Sequence, residues 1–413
     1  MSDKNNAPST IPRRGFLKAV TQFGAGALIL VSGGTVWRAV DQDVFSPFDG
    51  PAFEPWDNWK GQHLSGPMAM LPSAILASSP HNTQPWLFKV SNKQIQVFAD
   101  IKRNLGSFDP YLREMHIGLG CAVENIMIAA PGFGYRAQVE YQRAKLTKAL
   151  SRAGVVPVAT IALDKQTSAE NPLFLEIPNR RTYRGEYLRD RTIGNNLLNR
   201  FKEEARSEQV ELVLFSTGEA RQLFDQVMMD ATQQIVADYQ MVHDSEAWFR
   251  FKADDIQTYR DGVTMDSVGL PAPITLAAKI LPPMSAEKGH QIWLDTTRDT
   301  HLASAPLTAM LVVANPYTAE DNLRAGRVWQ RIHLMASKAG LSMHPMNQPL
   351  EWGDRLRELD RLSGKAGAGY MEKLRKLTAE YQGQATFSFR MGWAKNKGAL
   401  SPRRALDDVL LKA

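Results

Sequence analysis

The stretch Ala77-Ser-Ser-Pro-His-Asn-Thr-Gln-Pro-Trp-Leu-Phe88 sets small residues, two carboxamides and an aromatic in one turn that runs straight into a strand. Asn82 and Gln84 each carry both hydrogen-bond donors and acceptors. Pro85 stiffens the exit, and Trp86-Leu87-Phe88 opens an apolar run suited to a buried strand. Such a turn suits a flat heterocycle that needs hydrogen bonds along its edge. It suits equally a helix-to-strand turn stabilised by its own Asx chemistry, and local physics leaves both readings open.

Working outward, residues 68–77 read as a helix leading into the turn, and 86–90 with 94–99 as a hairpin turning at Ser91-Asn92-Lys93. Residues 117–130 carry apolar side chains at helical spacing, and 138–142 and 156–163 follow as strands. In the second half the same patterning predicts helices over 193–207, 218–241, 324–339 and 366–381, and strands over 210–216, 307–314 and 386–391. The two halves share a faint repeat. Gly120-x4-Asn125-Ile126-x-Ile128-x-Ala130-x3-Gly134-Tyr135 lies on Gly326-x4-Arg331-Ile332-x-Leu334-x-Ala336-x3-Gly340-Leu341 at an offset of 206, half of the 413-residue chain. Each copy predicts a helix with small residues on one side, a glycine at its carboxyl end and then a strand. Half-chain spacing is what a fused, tandem form of a homodimeric fold produces.

Arg180-Arg181-Thr182-Tyr183-Arg184 brings three guanidinium groups and a hydroxyl into five residues. Arginine forks onto phosphate oxygens in bidentate fashion, so the run suits a phosphate monoester; the competing reading is a solvated basic turn. Arg403 and Arg404, after Ser401-Pro402, read either as basic residues closing an anion site or as a basic helix start. His81, beside Asn82, is the one histidine of eight placed in a site, or it caps the turn. Trp248, Trp293 and Trp329 read as core or interface residues, and Asp261-Gly262 as a turn.

The composition bounds what else is possible. Forty-nine basic and 43 acidic residues give a scattered net charge of +6 with no dense basic block, so nucleic acid is not implied. Cys121 is the sole cysteine, which excludes an intramolecular disulfide, a thiolate zinc site and a redox cysteine pair. Gly-x-Gly-x-x-Gly, His-Glu-x-x-His and Gly-x-Ser-x-Gly are all absent.

Residues 1–40 read as targeting. Arg13-Arg14-Gly15-Phe16-Leu17-Lys18 resembles a twin-arginine translocation signal, and the apolar stretch 19–36, diluted by glycines, is a signal core too weak for a firm membrane span. No Ala-x-Ala cleavage site follows, so the segment is expected either to be cleaved or to stay as an amino-terminal anchor. Transport of a folded chain fits a cofactor inserted beforehand, and a periplasmic location follows. Residues 41–59, rich in Pro, Phe, Trp and Asp, read as an extended arm lying on the protein.

The small-Ser-x-x-Asn-x-Gln-Pro-Trp-x-Phe pattern of 77–88 and the Arg-Arg-Thr-x-Arg run of 180–184 together resemble the flavin-contacting loop and phosphate motif of the nitroreductase superfamily, with Thr182 in the serine position. The resemblance covers roughly residues 60–410 and is strongest toward its Acg-like, FMN-binding branch. It implies an α+β fold: a fused pseudo-dimer of two nitroreductase-like halves, 41–170 and 171–413, with a Pro-interrupted insertion at about 246–288 as a lid. In the superfamily the loop and the arginines come from different subunits. Here the first half would supply Ser78, Ser79, His81, Asn82 and Gln84, and the second Arg180, Arg181, Thr182, Arg184, Arg403 and Arg404. The implied cofactor is one FMN per chain, in a monomer. The implied function is an FMN-dependent oxidoreductase using a small-molecule electron acceptor and a quinol, redox protein or NAD(P)H as donor. The alternative is a non-catalytic protein that sequesters FMN under the lid.

Overall fold

The computed structural model describes residues 48–166, 169–281 and 284–412. The expected export signal at Arg13-Arg14 and the apolar stretch 19–36 lie outside the described residues. The chain is an α+β protein built on two four-stranded antiparallel sheets.

The first half contributes β1 (Trp86–Val90), β2 (Gln94–Asp100), the helix α1 (Arg113–Ala129), β3 (Tyr135–Tyr141) and β4 (Val155–Lys165), with sheet order β1-β2-β4-β3. The second contributes α2 (Asn195–Ser207), β5 (Glu211–Phe215), α3 (Gly218–Ala237), α4 (Tyr239–Glu246), β6 (Phe249–Arg250), α5 (Ala253–Tyr259), β7 (Val263–Thr264), α6 (Ala272–Ile280), α7 (Ala286–Asp295), β8 (Leu307–Val313), α8 (Ala319–Lys338), β9 (Ser342–Pro345), α9 (Gln348–Glu358), α10 (Lys365–Lys376) and β10 (Gln384–Gly392). Its sheet runs β5-β8-β10-β9, and every pairing in both sheets is antiparallel. The two orders correspond strand for strand: first strand at the edge, strand before the long helix, last strand, strand after the helix; β1 and β2 form a tight hairpin, whereas the whole run α3 to α7 lies between β5 and β8.

The long helices α1 and α8 pack against each other at a reciprocal close approach. A Cβ on Gly120 would stand 2.2 Å from the Leu323 carbonyl oxygen, and one on Gly326 would stand 2.0 Å from that of Ile117. The separations 323 − 117 and 326 − 120 are both 206, the offset of the sequence repeat. Glycine is needed here because backbone meets backbone. One apolar core runs across this seam, from Trp86, Val97 and Ile161 in the first sheet through Ile126 and Val328 to Leu311 and Phe389 in the second. A second cluster lies under α3, α9 and α10.

The halves also exchange ends. Leu410 bridges in parallel to Phe88 on β1, with the Leu411 amide donating to the Phe88 carbonyl at 2.8 Å. Within the second half, Thr182 bridges in parallel to Met343 at the edge of β9.

Most expected elements form, with instructive departures. The helix expected over 68–77 is only the turns Gly66–Met70 and Leu71–Ala74, because Pro67 and Pro72 remove amide donors. The single helix expected over 218–241 breaks at Asp238, whose carboxylate instead accepts from the Gln240 and Met241 amides and starts α4. Helix α8 begins earlier than expected, at a Thr318 hydroxyl accepting from the Asp321 amide. Strand β9 is the short strand expected after Gly340, while helix α9, rich in charged residues, was not anticipated.

Candidate anion and cofactor site

The turn after Ala77 stands on an unusual backbone. His81, Asn82 and Gln84 all have positive φ, at 44°, 56° and 50°, a conformation that costs roughly 1–2 kcal/mol for a non-glycine residue. The two carboxamides hold it there. Asn82 Nδ2 donates to the carbonyls of Pro402 (2.9 Å) and Gly262 (3.2 Å), while its Oδ1 accepts from Arg403 Nη1 at 3.0 Å. Gln84 Nε2 donates to the Arg260 carbonyl at 2.8 Å, and its Oε1 accepts from the Arg404 amide at 2.8 Å. The edge chemistry of Asn82 and Gln84 is therefore spent on the protein. They staple the turn to 260–262 and 402–404, where a heterocycle-contacting role was expected. Ser79 Oγ accepts from the Gln84 amide at 3.1 Å, and Ser78 Oγ accepts from Trp329 Nε1 at 3.3 Å.

Three arginines converge behind this turn. Arg180 is buried, donates Nη2 to the Leu76 carbonyl at 3.3 Å, and leaves Nε without a partner. Arg403 is 1 % exposed. It donates Nη1 to the Ala77 carbonyl at 2.9 Å as well as to Asn82, and its Nε is likewise unpartnered. Arg181 lies over the Trp56 ring at 4.0 Å, and Arg403 approaches the same ring at 5.0 Å. Burial draws Arg180 down to about 10. Burial and then the Arg180 charge bring Arg181 to about 9. Burial and then the charges of Arg180 and Arg181 hold Arg403 well below the usual guanidinium range. Among the described residues no carboxylate offsets these three. Burying like charges without counter-charge is costly, and an oxyanion is what would relieve it.

The remaining expected residues divide. Arg184 donates Nη1 to the Ser267 carbonyl at 2.8 Å, and its pKa falls to about 10 through burial and then the Arg390 charge. His81 is held neutral, lowered to about 4 by burial and then by Arg184, and one ring nitrogen meets Ser245 Oγ at 2.9 Å. Arg184 and His81 thus share a neighbourhood distinct from the three converging arginines. Thr182 is placed by its backbone bridge to Met343. The Arg404 guanidinium turns to the Gln84 and Asp408 carbonyls (3.1 and 2.6 Å), so Arg404 closes the turn from outside and does not join the cluster.

Sequence reasoning missed several groups. Trp56 lies in the 41–59 arm, whose aromatic content was the only signal. Its Nε1 donates to the Ser401 carbonyl at 2.8 Å, and the neighbouring Ala52 carbonyl accepts from the Arg403 amide at 2.7 Å. Along α8, Gln330 Oε1 accepts from the Ser78 amide at 3.4 Å, and His333 Nε2 contacts the Arg181 carbonyl at 3.0 Å. Trp329, expected as core, is buried against Phe387 and Phe389.

The insertion at 246–288 packs directly on this site. The Gly262 amide donates to the Asn82 carbonyl at 3.2 Å. Asp261, expected merely to turn, is buried between Arg103 and Arg250. A cavity of about 690 Å³ lies elsewhere, among Glu124, Met127, Leu197 and Met335. Its buried charges cancel: Glu124 pairs with Arg327 and Arg331 at 2.8 and 2.6 Å, and Glu208 pairs with both as well.

No family model matches the chain. It is 24% identical over 351 residues to a Mycobacterium tuberculosis H37Rv protein named "Putative NAD(P)H nitroreductase Rv3131", covering 83% of this chain and 90% of that one. Its sequence likeness is to nitroreductases. The counterpart in strain CDC 1551, named "Putative NAD(P)H nitroreductase MT3217", matches to the same extent. Among solved structures, the FMN-dependent nitroreductase NfnB from Mycobacterium smegmatis in complex with NADPH aligns with 58% of this chain and 96% of its own, at 14% identity and a TM-score of 0.36. A nitroreductase with bound FMN from Desulfitobacterium hafniense aligns with 59% of this chain and 100% of its own, at 12% identity and a TM-score of 0.34.

Proposed function

We propose that this chain is an FMN-dependent oxidoreductase of nitroreductase type, built as two fused protomer-like halves. The observation that carries the reading is the convergence of buried Arg180 and Arg403 with half-buried Arg181, with unpartnered Nε atoms on the first two and no acid paired to any of them among the described residues. A phosphate monoester fits that donor set. The corresponding strand orders and the reciprocal α1–α8 contact support the fusion, and likeness to proteins named as nitroreductases along most of the chain supports the chemistry.

In this reading Arg180, Arg181 and Arg403 hold the FMN phosphate, with Trp56 fixing the planes of two of them. Asn82 and Gln84 keep the turn rigid from behind. Arg184 and neutral His81 are left to meet the ring, and His81 at ordinary pH offers a neutral imidazole. The flavin, when bound, supplies the hydride and electron transfer; the chain supplies binding, orientation and the exclusion of water by 260–269. Export through the twin-arginine route and a periplasmic location complete the proposal, with a quinol, a redox protein or NAD(P)H as donor.

The test is FMN content and turnover. Each charge-assisted hydrogen bond contributes about 1.5–3 kcal/mol, so Arg180→Ala/Arg403→Ala should weaken FMN binding by at least about 100-fold and yield colourless protein. Unchanged FMN content refutes the assignment. Bound FMN that neither NADPH nor a soluble quinol reduces would identify the chain as a flavin store.

A further inference from the structure

The 206-residue offset relates side chains as well as backbones. Gln330 Nε2 donates to Asn125 Oδ1 at 2.8 Å, and Arg331 Nε donates to Glu124 Oε1 at 2.6 Å. Each pair is the image of the other, since the separations 330 − 124 and 331 − 125 are both 206. The amide pair borders the turn at Ser78, whereas the ion pair borders the cavity of about 690 Å³. His333, which meets the Arg181 carbonyl, has Met127 as its image, and Met127 lines the same cavity. The cavity therefore stands to α1 as the arginine site stands to α8. In the fused-halves reading it is the second copy of that site.

Its chemistry has diverged from that of its counterpart. Met127, Ile128, Leu173, Leu197 and Met335 give it an apolar wall, and its volume falls in the range of roughly 300–1,000 Å³ usual for small-molecule sites. Arg327 and Arg331 are held by Glu124 and Glu208, and Arg331 also by Glu204 at 3.1 Å. Arg200 on α2 and Lys338 at the end of α8 also line the cavity. Both are exposed, and among the described residues neither forms a salt bridge. Four cations thus face three carboxylates, and the surplus of one positive charge lies with the two unpaired cations. A phosphate dianion does not suit this balance, because Glu124 and Glu204 border the cavity and repel a second negative charge.

We propose that this cavity binds an organic monoanion with an apolar body: a carboxylate on an aromatic or aliphatic frame. The body lies against Leu197 and the two methionines, whose flexible thioethers adapt to varied shapes. The charged end meets Arg200 and Lys338, so no existing ion pair has to break. The fused-halves reading accounts only for the origin of the cavity. The ligand class follows from the lining, whether or not the arginine site takes a flavin.

Isothermal titration calorimetry of the full-length protein with naphthoate, and with its neutral amide for comparison, tests the assignment. One naphthoate per chain is the expected result, with the amide binding about tenfold more weakly. Arg200→Gln/Lys338→Gln, at exposed positions, should weaken naphthoate about tenfold and leave the amide unchanged. Leu197→Trp, which fills the cavity from α2, should abolish binding of both. Arg180→Ala/Arg403→Ala, at the arginine site, should leave naphthoate binding intact. Absence of naphthoate binding, equal affinity for acid and amide, or indifference to the Arg200 and Lys338 substitutions overturns the proposal. So does binding that survives Leu197→Trp, or that vanishes in folded Arg180→Ala/Arg403→Ala, which would put the probe in the arginine site.

Discussion

Replacing Gly326 with alanine should part the two central helices. The added Cβ would sit 2.0 Å from the Ile117 carbonyl oxygen, whereas real contacts of this kind stay at or beyond 3.0 Å, so about 1 Å of separation is required. A radial gap of 0.5–1 Å forfeits roughly a quarter to a half of each dispersion contact across it. The seam lined by Ile126, Val328 and their neighbours is fully buried, which places the cost in the range of about 1–3 kcal/mol typical of overpacking. Helix propensity works the other way, by about 1 kcal/mol in favour of alanine. The net expectation for Gly326→Ala is a loss of up to about 2 kcal/mol, and Gly120→Ala, at 2.2 Å from the Leu323 carbonyl, should behave alike. Because both clashes are relieved by the same displacement, the double variant should lose less than the sum of the singles. Gly369→Ala supplies the contrast: nothing lies within 4 Å of its Cβ position in α10, so it should be stabilising. Urea unfolding midpoints for the four variants decide the matter. Gly326→Ala gaining stability like Gly369→Ala, or additive losses in the double variant, would refute the reciprocal-seam reasoning.

Two further predictions concern buried polar groups. Asp109, Glu114 and Glu351 cluster near α1 and α9; burial raises Asp109 to about 6, Glu114 to about 7, and Glu351 well above the usual range. The folded state keeps protons that the unfolded state releases first, so stability should fall as pH rises from about 4.5 toward about 7, by at most about 1.4 kcal/mol per pH unit per proton. Glu351→Gln should flatten that slope in unfolding midpoints measured from about pH 5 to 8; an unchanged slope would count against it. Asn82→Ala removes three hydrogen bonds and leaves a left-handed backbone without its Asn. At about 1 kcal/mol per bond and a further ~1 kcal/mol of backbone cost, it should lose about 3–4 kcal/mol, and Asn82→Gly should recover only the backbone share. Equal stability of all three proteins by thermal melting would show that the staples are dispensable.

What the sequence revealed was local. The 206-residue offset located both central helices because glycine spacing and helical periodicity are written along a single segment, and residue type alone singled out Arg180 and Arg181, two of the three arginines that converge. What it concealed depends on distance. Asn82 bonds to Pro402 across 320 residues and to Gly262 across 180, and no local pattern distinguishes a carboxamide aimed at a ligand from one aimed at a remote carbonyl. The Arg404 side chain went astray for the same reason, adjacency to Arg403 having implied a shared direction. Trp56 was legible as an aromatic in an arm, but its place beneath Arg181 and Arg403 follows from tertiary packing only. The division of 218–241 at Asp238 was within reach, since aspartate is a preferred helix N-cap and an unfavourable residue in a helix interior.

Arg403 contacts Ala77 and Asn82 across 326 and 321 residues of chain, and Leu410 bridges to the first sheet beside them. During synthesis, the early half must therefore wait, with its turn unbraced, until residues 402–411 have been translated. A molecule truncated anywhere upstream of residue 403 lacks one of the three converging guanidinium groups as well as the closing clasp. Capture of an anionic prosthetic group would then act as an inspection step, passing only molecules in which residues 402–411 have docked on the first half.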